Sequence, residues 1–503
     1  MKKALVFLVF AALTAFGTAA SADELILKHD HFKRNLQAWS IPSYWSGKLA
    51  LADDGGRKVL KLTGVPGKRG KFGRATATLR QRELFAGTTV LVTVTAKGDG
   101  DFLAGLLVYH PGVKRPEYLP GRIVRLSGEF KTYDFELTIP WRCHKIQPYI
   151  EVKGTGTAII REFRMAAQFD PEVNVVPDRV LQVVKPGAPL PDASFRTNRP
   201  GAEFHVAQIN LNDNRVRDAK VKADADGVVK VPAVDLGRGV WEFSAALSGR
   251  TATSYFVKEG TAGDFERSDA LARQIKLEKP LRILVIGDSL SDFYRGYNYV
   301  DRLGFWLNRY NSGMVTIRNA GVRGDFVKRV QGRLLGTVGK AKKIYEQSRY
   351  DRLFDEKYDL IFIFLGQNDT RTPKKLNYAK PLTEPKVQYE GLKAILAFIR
   401  ERSDAKIVLV SPSPCCAEFI EALRAKAKPD KNFVMFGKRE FVDDYDLVNR
   451  RFCEEFKLDY IDILTPMRNH PDLKILYVRD GVHLSLIGGR FIADEILKYF
   501  AGR

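Results

Sequence analysis

The sequence predicts a multidomain chain in which two N-terminal β-sandwich modules precede an α/β domain built on a parallel sheet. Three observations carry that expectation. The chain has 503 residues, too many for one ordinary core at ~100–200 residues per domain. From Asp23 to about Gly260, short alternating runs are punctuated by Gly and Pro, the pattern of antiparallel sheets. From Leu281 onward, apolar strand runs alternate with helical stripes, which is how a parallel sheet covered by helices on both faces reads.

Taken in order, residues 1–22 are expected to be a secretory signal peptide. Lys2 and Lys3 precede the apolar run Ala4–Phe16, and Ala20-Ser21-Ala22 offers small residues for cleavage before Asp23. The apolar run is shorter than the ~20 residues that span a bilayer, so a membrane anchor is not expected. A secreted or periplasmic location follows. Residues 23–170 read as the first sandwich, with strands over Val90–Ala96, Phe130–Ile139 and Ala158–Met165. Its closing run, Tyr149–Thr157 followed by Ile159-Ile160, loosely resembles the last strands of galactose-binding-like and carbohydrate-binding modules. Trp39, Tyr44, Trp45, Tyr109 and Trp141 are candidates for a sugar-stacking face, with core burial as the plainer expectation.

Residues 171–263 change rhythm after a Pro-rich start and read as an Ig-like spacer sandwich. In it Asp224-Ala225-Asp226-Gly227 is a turn between strands Ala219–Ala223 and Val228–Val231. Residues 264–280 are a polar linker, helical over Ser268–Leu277. The last domain, 281–503, has strand candidates Leu281–Ile286, Val315–Arg318, Leu360–Leu365, Ile407–Val410 and Tyr460–Ile463. Helical stripes run between them, such as Leu303/Trp306/Leu307/Tyr310 and Phe441/Tyr445/Val448/Phe452.

Charge narrows the partners. The formal net charge is +22, which favours polyanions such as acidic polysaccharide; solubility alone explains it equally well. No nucleic-acid-binding motif is present, and no nucleic-acid partner is expected. Between Arg57 and Arg82 stand nine Lys/Arg and no Asp or Glu, either a solvated loop or an anion-binding face. The cysteines are Cys143, Cys415, Cys416 and Cys453. Export permits disulfides, and Cys453 is in a position to pair with Cys415 or Cys416, so at most one bridge is expected. The cysteines have no metal-site spacing such as C-x₂-C, and the sequence offers no metal cluster, phosphate-binding Gly loop or dinucleotide fingerprint, so neither a metal nor a cofactor is expected.

The chemistry sits in the last domain. Ser289 follows the first strand run, Asn319-Ala320-Gly321 the second and Gly366-Gln367-Asn368-Asp369 the third, so all three belong on one rim of the sheet. Asp480-Gly481-Val482-His483 precedes the final helix, which Ser485 is placed to cap. A serine hydroxyl needs a base, a histidine near pH 7 is one, and a carboxylate must hold its other nitrogen. The N–H groups of Ser289 and Gly321 and the amide of Asn368 are available to a developing oxyanion. Asp288 and Asp369 read as hydrogen-bonding supports for the loops, and Arg323-Gly324-Asp325 as a chance match to an adhesion tripeptide.

Gly-Asp-Ser-Leu at 287–290, Asn-x-Gly at 319–321, Gly-x-Asn-Asp at 366–369 and Asp-x-x-His at 480–483 resemble, in order, the four blocks of the SGNH (GDSL) hydrolases. The resemblance implies a flavodoxin-like, five-stranded parallel sheet, in agreement with the five strands counted. It implies catalytic Ser289, Asp480 and His483, with Ser289, Gly321 and Asn368 forming the oxyanion hole. It further implies a serine esterase, with removal of O-acetyl groups from polysaccharide as the leading activity. The alternatives are a lipase or thioesterase acting on acyl lipids, and a non-catalytic surface-binding protein. The stretches Arg371–Lys386 and Ala425–Lys438 are expected to add loops around the cleft.

Overall fold

The computed structural model describes residues 24–502 apart from 33–34, 37, 68–69, 78–87, 111–114, 141–142, 144, 212–214, 235–236, 259–260, 293–294, 338–346, 375–376 and 428–432. The expected signal peptide, Trp141, Lys68, Arg69, Arg80 and Arg82 lie outside the described residues. The chain divides into two compact units. One reaches to Val180 and takes in Pro191–Val234 and Trp241–Ser254; the other comprises Leu181–Leu190, Asp235–Val240 and Tyr255–Arg503.

The first unit is β-rich, with several sheets. Strands Lys131–Thr138, Thr89–Asp99, Thr157–Gln168, Arg57–Thr63 and Lys48–Asp54 lie side by side in that order, with Glu24–Asp30 also paired to Thr157–Gln168. A second antiparallel sheet contains Asp101–Tyr109, Lys145–Lys153 and Gly70–Ala77. Alternation explains their shared core: Val92, Val94, Phe163 and Met165 from the first sheet and Leu106, Val108, Ile150 and Val152 from the second are all buried in one apolar cluster.

That core absorbs the proposed stacking aromatics. Trp39 and Trp45 are buried, Trp39 donating to Asp30 Oδ2 at 2.8 Å and Trp45 packing edge-on against Tyr149 and Tyr44. Tyr109 is partly buried against the same core and its hydroxyl donates to Gln147 at 2.7 Å. Only Tyr44 of the described candidates is well exposed. Arg74, from the basic run, is also committed. Its Nε donates to Glu151 at 2.6 Å, and its guanidinium lies over the rings of Trp45, Phe72, Tyr118 and Tyr149.

Farther along, the Asp224–Gly227 turn forms as expected, its Asp224 Oδ1 accepting from the N–H of Asp226 and Val228 at 3.0 and 2.8 Å. The flanking strands do not pair as a hairpin. Val216–Lys222 pairs with Glu203–Asn210, and Val228–Val231 pairs with Ala193–Thr197. Local turn chemistry sets the bend but not the partner.

In the second unit, strands β1 (Leu281–Gly287), β2 (Val315–Asn319), β3 (Leu360–Phe364), β4 (Lys406–Val410) and β5 (Asp459–Ile461) form one parallel sheet in the order β2-β1-β3-β4-β5. The helices are α1 (Ala262–Gln274), α2 (Tyr299–Arg309), α3 (Val327–Leu334), α4 (Pro385–Arg400), α5 (Ala417–Ala425), α6 (Arg439–Phe456), α7 (Leu464–Arg468) and α8 (Leu486–Ala501). Both sheet faces are covered. Leu284, Ile286, Ile361, Ile363 and Leu409 pack with Val330 of α3, Leu392 and Ile395 of α4 and Phe452 of α6. Phe362, one position out of phase, meets Tyr499 and Phe500 of α8. This accounts for the unbroken burial of Ile283–Gly287. The chain leaves β1 for β2 on one side and returns to β3 on the other, so the crevice opens at the carboxyl end of β1.

The stretch read as a linker carries α1, which starts earlier than expected because Thr261 caps it, accepting from the Asp264 N–H at 3.2 Å. It packs into the unit: Phe265 meets Trp306 of α2 edge-on, and Ser268 donates to Asp494 of α8 at 2.5 Å. The α2 stripe is buried as expected at Leu303, Trp306 and Leu307, and the α6 stripe is rotated. Tyr310 is exposed just past α2, and the buried face of α6 includes Val442 and Asn449. None of the four cysteines is bridged; all are buried thiols. Cys453 packs against the sheet core, whereas Cys415 belongs to a separate apolar cluster with Ile420, Met435 and Val482.

Candidate active site

The loop after β1 is a tight turn organised by Asp288. Its carbonyl accepts from the N–H of Ser291 and Asp292 at 3.2 and 3.0 Å, and its Oδ1 from Leu290 at 2.9 Å. The turn lifts Ser289 out of the strand toward the loop before α8. There the two groups meet: Ser289 Oγ lies 3.0 Å from His483 Nε2, across 194 residues of sequence.

The other half of the pair is built locally. Asp480 Oδ1 accepts from the N–H of both Val482 and His483 at 2.9 Å, while Oδ2 lies 2.6 Å from His483 Nδ1. Gly481 makes the turn at φ +74°, where a Cβ would also stand 2.7 Å from the Cys416 carbonyl oxygen. Behind it, Val482 sits in the apolar cluster with Cys415 and Met435, and Ser485 caps α8 by accepting from Gly488 at 3.2 Å. Burial works against the Asp480 charge, but the bonds from the His483 ring and from the N–H of His483 and Val482 outweigh it and hold the carboxyl below the ordinary aspartate range. A carboxylate on Nδ1 assigns the proton to that nitrogen and leaves Nε2 to accept from Ser289. Such a chain can take a hydroxyl proton as the oxygen attacks a carbonyl.

Of the three expected oxyanion donors, the structure brings the amide of Asn368 to the Ser289 loop, where Nδ2 donates to Asp288 Oδ2 at 3.3 Å. That bond uses one of two amide hydrogens. The Gly321 N–H is engaged within its own loop, donating to Asn319 Oδ1 at 2.9 Å, while Asn319 Nδ2 donates to the Ser291 carbonyl at 2.6 Å. Asn319 thereby ties the second loop to the first. Gly321 fits there because a Cβ would lie 2.7 Å from Ser291 Cβ.

The two supporting aspartates are in place. Burial, reinforced by Asp369, pushes the Asp288 carboxyl up to about 7 against the lowering effects of the Leu290 N–H and His483. Asp369, pushed up to about 6 by burial, accepts from the N–H of Val327 at 3.1 Å and so anchors the start of α3. Tyr299 lies under the loop, fully buried, its hydroxyl 2.9 Å from Ser291 Oγ. Asp325 of the Arg-Gly-Asp tripeptide is buried in a two-bond pair with Arg333 at 2.6 and 3.0 Å, which removes it from any adhesion role.

Several residues at the rim escaped the sequence reading. Arg349 donates to the Gly321 carbonyl and to Asp292 at 2.6 Å. Arg371, partly buried, has Nη1 3.5 Å from Asn368 Oδ1. Its guanidinium and that of Arg329 lie 5.9 and 5.0 Å from the centre of the Phe326 ring. Gln367 donates to the Pro414 carbonyl at 3.3 Å and to Cys415 Sγ at 3.2 Å, linking the loops after β3 and β4. The two stretches expected to add loops pair with each other, Thr372–Pro373 against Val434–Met435. Gln367, inside the Gly-x-Asn-Asp block, and Arg371, three residues past Asn368, had a positional hint.

Residues 285–490 match the model of the GDSL-like Lipase/Acylhydrolase family. Among curated proteins, GDSL esterase/lipase CPRD49 of Arabidopsis thaliana is 26% identical over 141 residues, 28% of this chain and 53% of that protein. A second GDSL esterase/lipase of the same plant is 25% identical over 143 residues, 27% of this chain and 56% of its own length. The chain spans about half the length of these curated relatives. A solved lipase/acylhydrolase from Enterococcus faecalis is 19% identical, the match covering 44% of this chain and 96% of that one with a TM-score of 0.33. The C-terminal region is an α/β hydrolase domain of the GDSL-like lipase/acylhydrolase family.

Proposed function

We propose that this chain is a secreted or periplasmic serine esterase that removes O-acetyl groups from polysaccharide, preferring anionic polymers. The observation that carries the esterase reading is the hydrogen-bonded relay Ser289–His483–Asp480, at 3.0 and 2.6 Å, on the rim of the parallel sheet. Ser289 Oγ attacks the ester carbonyl as His483 Nε2 takes its proton, and Asp480 stabilises the imidazolium. The proton then goes to the leaving alkoxide. Water, activated by the same imidazole, hydrolyses the acyl-serine. The Asn368 amide and the Ser289 N–H are the first donors to the oxyanion, with the Gly321 N–H joining once it exchanges Asn319 for substrate.

The anionic preference is supported by the Arg371 guanidinium beside Asn368, which shares the Phe326 ring with Arg329. Burial and the nearby Arg329 work against the Arg371 charge and Asp369 favours it; a carboxylate on the substrate would add a charge-assisted partner there. A long acyl chain finds no gain against two cations, which weighs against the lipase or thioesterase reading. The export reading rests on residues 1–22.

Ser289→Ala should abolish hydrolysis of short aryl acetates with the fold intact by circular dichroism; retained activity overturns the mechanism. Acetate release from O-acetylated uronate polymers, compared with neutral acetylated polymers and a chain-length series of esters, tests the substrate. Preference for long acyl chains would remove the deacetylase reading and leave the esterase one standing.

A further inference from the structure

We infer that His29, His31 and Glu162 form a binding site for a divalent transition-metal ion of the zinc type, on a sheet face of the first unit. His29 lies in strand Glu24–Asp30 and His31 directly follows it, two positions on, so both side chains belong to one face. The strand runs antiparallel to Thr157–Gln168 with His29 opposite Arg164 and Asp30 opposite Phe163, which brings Glu162 level with His31. The three donor atoms all lie within 4.8 Å of one another. His29 Nε2 stands 2.6 Å and His31 Nδ1 3.8 Å from Glu162 Oε1, and the imidazole centres are 4.2 Å apart.

Two imidazole nitrogens and one carboxylate oxygen suit a borderline ion and leave a fourth, tetrahedral position for water. Calcium and magnesium want oxygen ligands in larger number. Each side chain is about a third exposed, at 35, 40 and 36% for His29, His31 and Glu162, so an ion enters without opening the fold. The hydrogen bond from His29, more than any other influence, holds the Glu162 carboxyl below its ordinary range and keeps it an anion. Arg57 acts on Glu162 as well, and Arg164 faces His29 in register. Both cations oppose a dication, so a modest affinity is expected. An ion held here clips strand Glu24–Asp30, whose one partner among the described strands is Thr157–Gln168, to that neighbour.

The test uses the full chain without a polyhistidine tag, stripped of metal by chelator and dialysis, then titrated with zinc chloride by calorimetry and with cobalt chloride by visible absorption. About one zinc per chain should bind, and zinc should raise the melting temperature because it binds only the native arrangement. Each of His29→Gln, His31→Gln and Glu162→Gln should weaken zinc roughly tenfold or more, with unaltered circular dichroism. The double variant His29→Gln/His31→Gln should lose both the binding and the thermal shift. Zinc bound equally well by the double variant places the ion elsewhere and overturns the proposal. No zinc uptake by the parent chain leaves His29 and Glu162 a hydrogen-bonded pair and overturns it too.

Discussion

Two of the places where this molecule holds an imidazole against a carboxylate, at His483 and at His29, are built by opposite means. At the rim of the parallel sheet, Asp480 and His483 are three residues apart in one turn, and backbone N–H groups fix the carboxylate before any distant residue is involved. On the sheet face of the first unit, His29 and Glu162 are 133 residues apart and meet only through strand register. A slip of one residue would carry a side chain to the other face. Exposure does not separate the two pairs, since the His483 and Asp480 side chains are 30 and 41% exposed and those of His29 and Glu162 35 and 36%; what the rim adds is the buried Ser289. A reaction that needs atoms held within tenths of an ångström uses the local construction, and an ion that gathers its own ligands tolerates the one that depends on strand register.

The same chemical change separates the two. Asp480→Asn should lower kcat for aryl acetates by ~10⁴-fold, because the amide no longer holds the required tautomer; a loss under tenfold would mean the relay is not in use. Glu162→Gln reads instead in zinc affinity. Next in size, Asn368→Ala should cost ~10²–10³ in kcat with a smaller change in KM, as expected for a donor used mainly in the transition state. A pure KM effect would reassign Asn368 to ground-state binding. Arg371→Gln should raise KM for acetylated uronate polymers about tenfold, and for neutral acetylated polymers less. An equal rise on both would deny the guanidinium pair its anionic partner.

The smallest effect concerns Asp288. Its folded value near 7 lies above the ordinary carboxylate value. Between those values the folded chain holds a proton that the unfolded chain releases, so this group's contribution to stability declines as pH rises toward 7. Asp288→Asn does not titrate. The melting temperature of the variant relative to the parent should therefore climb between pH 4 and pH 8, whatever its absolute value. A flat difference would show that Asp288 is ionised and compensated throughout.

Particular residues show why the rim was legible in advance and its surroundings were not. Gly287–Leu290, Asn319–Gly321, Gly366–Asp369 and Asp480–His483 each follow a strand run or precede a helix, so the parallel sheet delivers all four to one edge. The engagement of the Gly321 N–H by Asn319 is a matter of loop dihedrals, which motif spacing does not specify. Arg349 and Arg329 come to the rim from segments with no motif. The aromatics of the first unit misled because alternation marks which residues share a face but not which face is covered; Trp39 and Trp45 turned inward. The Asp224–Gly227 turn likewise bends the chain without choosing partners for its strands.

By itself the sequence determined the α/β character of residues 281–503, the order of the strands along the chain, and the four loops that carry Ser289, Gly321, Asn368 and His483. These are short-range properties: unbroken apolar runs, helical stripes and turn residues act over a few positions. Only the tertiary structure decided which strands of the first unit pair, that no cysteine is bridged, that Arg371 stands beside Asn368, and that His29 and His31 face Glu162. Those outcomes depend on the register and packing of segments far apart in the chain, where the free energy belongs to the whole core and no local pattern records it.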